Sequence, residues 1–216
     1  MSENQQILVE DPSNLTPQEK RQKFFWELKD LITGAVLPLV IQLLFSCTVV
    51  MFADSDDLAV HLIAVIGGNI LIAGAYFIFG RQNGGTAYRK YYLNQTKRAL
   101  ENREKQVVFK TGEYSLWKGF VIPVLSCVPY ILIQIIELCV PNTFCGFMLR
   151  YGFGWAFYPL SRLGVNGAVN FVFIIIPVAA HALGYYLGMK KAEKLQKQAL
   201  DESAAYREKR RKRGKK

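Results

Sequence analysis

Four stretches of the chain, each a little over twenty residues long, are nearly free of charge, and no other feature narrows the fold as far. They cover residues 31–52, 58–79, 119–140 and 168–188. Together they hold one carboxylate, Glu137, no lysine or arginine, and the two histidines His61 and His181. A helix needs ~20 consecutive apolar residues to cross the hydrocarbon core of a bilayer, and each run meets that length. A soluble helix keeps a polar face toward water, so four such runs argue against a soluble fold. The expectation is an all-α integral membrane protein with four transmembrane helices. The mean hydropathy of +0.12 averages these runs with dense blocks of charge.

The blocks of charge predict the orientation. Of the 27 Lys and Arg residues, four precede the first run, nine fall in 80–118 and twelve follow residue 188. Arg150 and Arg162 are the two others, and the short 53–57 connection carries three acids and no base. Basic residues flanking membrane helices stay on the cytoplasmic side. Both termini and the 80–118 loop are therefore expected in the cytoplasm, with 141–167 outside. The first 30 residues hold four bases and six acids and no short apolar core, so the first span is expected to act as an uncleaved anchor.

Around the spans the chain divides into a polar segment 1–15, expected to be disordered, a membrane domain 16–189 and a basic cytoplasmic tail 190–216. Thr16-Pro17-Gln18-Glu19 combines a capping box with proline at the first helical position. The helix it starts carries Phe24, Leu28 and Leu31 on one face and Lys20, Arg21, Lys23 and Lys29 on the other. Two geometries suit it: an interfacial helix bending near Gly34, or a straight extension of the first span. Residues 86–106 read as a basic helix with Tyr88, Tyr91 and Tyr92, broken from the second span at Gly84-Gly85. Asn14-Leu15-Thr16 and Asn94-Gln95-Thr96 match the glycosylation pattern but fall on the inner side. Segment 141–167 crowds seven aromatic residues around Arg150. It is expected in the outer interface or dipping back into the membrane; a fifth span would put the basic tail outside.

Each span contains or begins near a helix weakener: Gly34 and Pro38, Gly67-Gly68, Pro123 and Pro129, Pro177. Ala64-x-x-x-Gly68 and Gly184-x-x-x-Gly188 offer small-residue faces for close helix approach. Polar groups inside a membrane are costly and mark either packing or function. The candidates are Gln42, Asn69, Gln134, Glu137, Asn170 and His181. Counting ~1.5 Å per residue from the cytoplasmic ends pairs Gln42 with Asn69 near the midplane and Glu137 with Asn170 near the outer surface. The same count leaves His181 near the inner end, out of reach of Glu137. Cys47 and Cys127 read as buried thiols, while Cys139 and Cys145 form a candidate disulfide on the outer side.

No phosphate-cradling glycine loop, paired carboxylates or nucleophile triad is recognisable. No cofactor or metal site is expected, and the chain reads as a non-enzyme. The expected partners are the bilayer, anionic inner-leaflet lipids, and a membrane-protein partner or further copies of the chain. Specific nucleic-acid binding is not expected, because charge without a folded reading surface gives salt-sensitive, nonspecific attachment. The first functional expectation is an accessory or scaffolding membrane subunit. The alternative is a small oligomeric transporter or channel with a polar seam through Gln42, Asn69, Glu137 and His181. A bacterial inner membrane is the simplest location for either.

Overall fold

The computed structural model describes residues 17–53, 55–101, 115–159 and 167–213. The expected disordered segment 1–15, the capping residue Thr16, part of the 80–118 loop and Arg162 lie outside the described residues. Among the described residues every regular element is helical. The α-helices are α1 (Pro17–Ala53), α2 (Leu58–Glu101), α3 (Lys118–Cys139), α4 (Thr143–Phe147), α5 (Gly154–Phe157) and α6 (Ile175–Arg213). A π-helical turn, Met148–Gly152, links α4 to α5, and a 3-10 stretch, Gly167–Ile174, leads into α6. Four helical stretches are long and apolar enough to cross a membrane: Phe24–Ala53, Leu58–Leu93, Lys118–Cys139 and Gly167–Arg207.

Local chemistry sets the helix ends. Proline stands at the first position of α1, where its missing N–H costs nothing. The Asp57 carboxylate accepts from Ala59 N at 2.8 Å and caps α2, satisfying one of the donors that a helix start leaves over. One turn later the buried His61 places Nδ1 2.6 Å from the Ala53 carbonyl. A carbonyl only accepts, so the ring donates there and satisfies the last turn of α1. The short α1–α2 connection is thus held from both sides.

Of the two geometries open to the N-terminal stretch the structure has the straight one, and the expected break at Gly84-Gly85 does not occur. α1 runs unbroken past Gly34 and Pro38, so the N-terminal amphipathic stretch and the first span form one helix. α2 likewise continues through Gly84-Gly85 to Glu101. The reason lies in α6. A methyl group on Gly80 would overlap the His181 carbonyl, and one on Gly84 would overlap the Tyr185 carbonyl. Reciprocally, Gly184 lies against the Phe77 carbonyl and Gly188 against the Arg81 carbonyl. These glycines let two backbones touch, and the packing holds α2 helical where its own propensity is poor.

The contacts also give the helix directions. Moving up α2 from Gly80 to Gly84 moves up α6 from His181 to Tyr185, so α2 and α6 are parallel. Gln42 and Gly68 meet Tyr76 and Val49 respectively, which makes α1 antiparallel to α2. His181 on α6 reaches Gly119 on α3, while Gln134 meets Gly167, so α3 is antiparallel to α6. The four long helices alternate, and the start of α1 and the end of α6 share one end of the bundle.

The segment after α3 goes back into the bundle. Leu149, Phe153, Trp155 and Ala156 are fully buried in one cluster with Ile72, Tyr76 and Tyr130. Tyr130 stands nine residues before the end of α3, about 14 Å along the helix axis. The segment thus re-enters the helix bundle instead of lying beyond its end, the packing expected of a re-entrant dip. Phe144 and Phe147 remain exposed.

Candidate functional site

The interior polar groups form one seam, and its end toward the start of α3 follows from a proline. Pro123 has no N–H, so the carbonyl four residues earlier, Gly119 O, loses its helical partner. His181 supplies the replacement, with Nδ1 2.8 Å from that oxygen. Its ring is fully buried, stacked on Tyr185 and edge-on to Tyr76. With Nδ1 donating, Nε2 offers a lone pair to the interior.

The middle of the seam is a knot of four side chains from three helices. Gln42 Nε2 donates to the Tyr76 hydroxyl and lies 3.4 Å from Ser126 Oγ and 3.5 Å from Cys127 Sγ. Tyr76 OH and Ser126 Oγ are 2.7 Å apart, and Ser126 also donates to Pro123 O at 2.7 Å. All four side chains are buried, and Ser46, one turn above Gln42 on α1, is buried too.

Toward the other end, Asn69 Nδ2 donates to Val65 O on its own helix at 2.9 Å and to Trp155 O at 3.1 Å. The re-entrant segment is thereby pinned to α2 by its backbone. Gln134 lies against Gly167, where a methyl would sit 3.0 Å from its Nε2. Gln134 and Asn170 are both buried.

No known protein family, characterised protein or solved structure matches this chain. What the site can do is therefore read from its own atoms.

The depth pairing expected for these residues does not form. Gln42 meets Tyr76, because the antiparallel register also sets Val49 against Gly68. Asn69, next to Gly68, then lies about a turn and a half farther along α1 than Gln42. Counting from separate span ends assumed that all helices start in one plane. Asn170 follows Gly167 inward from Gln134, toward Tyr130, whose ring lies 6.1 Å from that of Phe171. Glu137 sits outside this level. It is half-buried near the end of α3, and its carboxylate accepts from Asn142 N at 3.1 Å. Asn142 in turn caps α4 by accepting from Cys145 N at 2.8 Å. Glu137 therefore shapes the entry to the re-entrant segment.

The candidate disulfide is also absent: Cys139 and Cys145 are free thiols, the first exposed and the second buried. Cys145 Sγ faces the Asn142 side-chain amide at 3.3 Å, because the cap turns it inward. Cys127 is buried as expected, whereas Cys47 is exposed, 3.8 Å from Tyr151 O.

Sequence reasoning missed Ser46, Tyr76, Ser126, Tyr130 and Trp155 as members of the seam. Ser126, Tyr130 and Gln134 stand at i, i+4 and i+8 on α3, one face of a helix. Gln42 and Ser46 repeat that spacing on α1. The signal was a stripe of mild polarity at helical period, weaker than the charged and amide groups that drew attention. Chemically, the seam can exchange hydrogen bonds and hold one imidazole lone pair. Among the described residues, no three His, Cys, Asp or Glu side chains come together where a metal ion could sit.

Proposed function

We propose that the chain is a non-catalytic accessory or scaffolding subunit of a cell membrane, with both termini in the cytoplasm. The observation that supports this reading is the length of α2 and α6. α2 has 44 residues and α6 has 39, about 66 Å and 58 Å at 1.5 Å per residue. A hydrocarbon core is ~30 Å thick, so about half of each helix is surplus to crossing. The two helices are parallel, and their surplus ends leave the bilayer together. Those ends hold most of the basic residues, and the basic side of a membrane protein is cytoplasmic. Leu195, Leu200 and Tyr206 are exposed on this arm, which gives a polar projection three apolar contacts to offer a protein partner. A bacterial inner membrane suits this arrangement.

The test uses a photo-crosslinking side chain at Leu200 or, as a lipid-facing control, at Leu132. The full chain is irradiated in its own membrane and purified in mild detergent. The expected result is one discrete protein adduct, a partner or a second copy, from Leu200 and none from Leu132. Repeated recovery of the chain alone from both positions would overturn the reading.

A second reading, a small oligomeric transporter or channel, draws on the seam itself. All four long helical stretches contribute interior polar side chains to it, Gln42, Ser126 and His181 fully buried and Asn69 half-buried. Glu137 stands at the outer entry. Loss of solute flux in reconstituted vesicles on His181→Ala, and a change on Glu137→Gln, would favour it. Unchanged flux in both removes these residues from such a path.

A further inference from the structure

Arg81 on α2 and Lys190, Lys191 and Lys194 on α6 line one groove of about 440 Å³ together with Phe77 and Leu187. Nothing in the sequence brings Arg81 near the tail; the parallel glycine contact does. Gly188 lies against the Arg81 backbone, so the first base past the apolar part of α2 faces the first bases past that of α6. Among the described residues no acid lines the groove. The Glu193 carboxylate pairs with Lys190 at 3.6 Å and with Lys197 at 3.0 Å.

The order of side chains along the groove is informative. Phe77 stands one turn before Arg81, and Leu187 one turn before Lys191. Apolar groups therefore lie on the bilayer side and cations directly beyond them. Arg81 is 23 residues past Leu58, about 35 Å along α2, which matches the head-group level of a ~30 Å hydrocarbon core.

We propose that this groove binds the phosphate of an anionic phospholipid, whose acyl chains run down past Phe77 and Leu187. A guanidinium matches phosphate oxygens in a two-pronged geometry, and lysines add point charge around it. The apolar floor favours a lipid over free phosphate, since a small anion has nothing to place there. The site goes beyond the scaffolding reading and holds whether or not that reading does.

The test uses the purified full chain in a mild nonionic detergent and native mass spectrometry. The probes are phosphatidylglycerol, phosphatidylcholine and inorganic phosphate. Phosphatidylglycerol is expected to bind in preference to phosphatidylcholine, and millimolar phosphate is expected not to displace it. The double variant Arg81→Gln/Lys191→Gln should weaken phosphatidylglycerol binding about tenfold or more, since each nearby base contributes ~1 kcal/mol. The charge-matched control Lys20→Gln/Arg21→Gln should leave it unchanged, and melting without lipid checks that both variants fold. Equal binding of phosphatidylcholine, or equal loss in the control, would overturn the proposal. So would displacement by phosphate, which would mark a free-anion site.

Discussion

His181 is the residue whose role differs most between sequence and structure. As an imidazole within an apolar run it invites a reading as part of a polar path. In the fold it repairs a helix: Pro123 strips Gly119 of its partner, and the ring donates in its place. An unpaired buried carbonyl costs about 1–3 kcal/mol, so His181→Ala is expected to destabilise the protein by at least that amount. Pro123→Ala returns an N–H to the helix and offers Gly119 its ordinary partner. The His181→Ala penalty should then fall by about 1 kcal/mol in a Pro123→Ala background. Detergent unfolding midpoints for the four proteins of the cycle measure this. Equal penalties in both backgrounds would show that His181 acts otherwise. The Pro123 and His181 positions were both visible in the sequence, but their partnership was not. It depends on α3 and α6 being antiparallel and in one register, which residue types alone do not encode.

At the scale of elements, the α2–α6 pair and the re-entrant segment carry the architecture. Gly184-x-x-x-Gly188 was legible as a packing face because its spacing is a known small-residue pattern. Gly80-x-x-x-Gly84 was not, since it runs into Arg81-Gln82-Asn83 and reads as a turn. Helix propensity favoured a break there, and the tertiary contact with α6 overrode it. Gly84→Ala and Gly188→Ala are expected to cost about 1–3 kcal/mol each by overpacking. Gly67→Ala and Gly74→Ala should stay within about 0.5 kcal/mol, because a methyl there meets nothing within 4 Å. Melting curves that fail to separate the two pairs would contradict the backbone contact. The re-entrant segment is tested in the same way. Trp155 is fully buried and Phe147 is 55% exposed, so Trp155→Ala should lower stability by about 3–5 kcal/mol and Phe147→Ala far less. Similar melting points for the two would place the segment outside the bundle. Its aromatic content signalled membrane contact, yet which rings turn inward followed from the π-helical turn and the Asn142 cap.

For the whole molecule, four runs nearly free of charge were enough to predict the number of long apolar helices, and the described structure has four. Hydrocarbon tolerates few alternatives, so that level of the fold is written plainly in composition. The alternation of α1, α2, α3 and α6 gathers the basic ends at one end of the bundle, which composition had suggested by counting charges. The interior seam was only partly legible, because Ser and Tyr at helical spacing look apolar beside charged residues. The account rests most heavily on which side of the membrane that basic end occupies. Cysteines introduced at Asp56, at Gln95 and at Ser203, each in a Cys47→Ala/Cys139→Ser background that removes the exposed native thiols, report it when intact cells meet a thiol reagent that cannot cross the bilayer. The expected result is labelling at position 56, with positions 95 and 203 reacting only after permeabilisation. Labelling of 95 or 203 in intact cells, with 56 protected, would reverse the orientation and contradict the account.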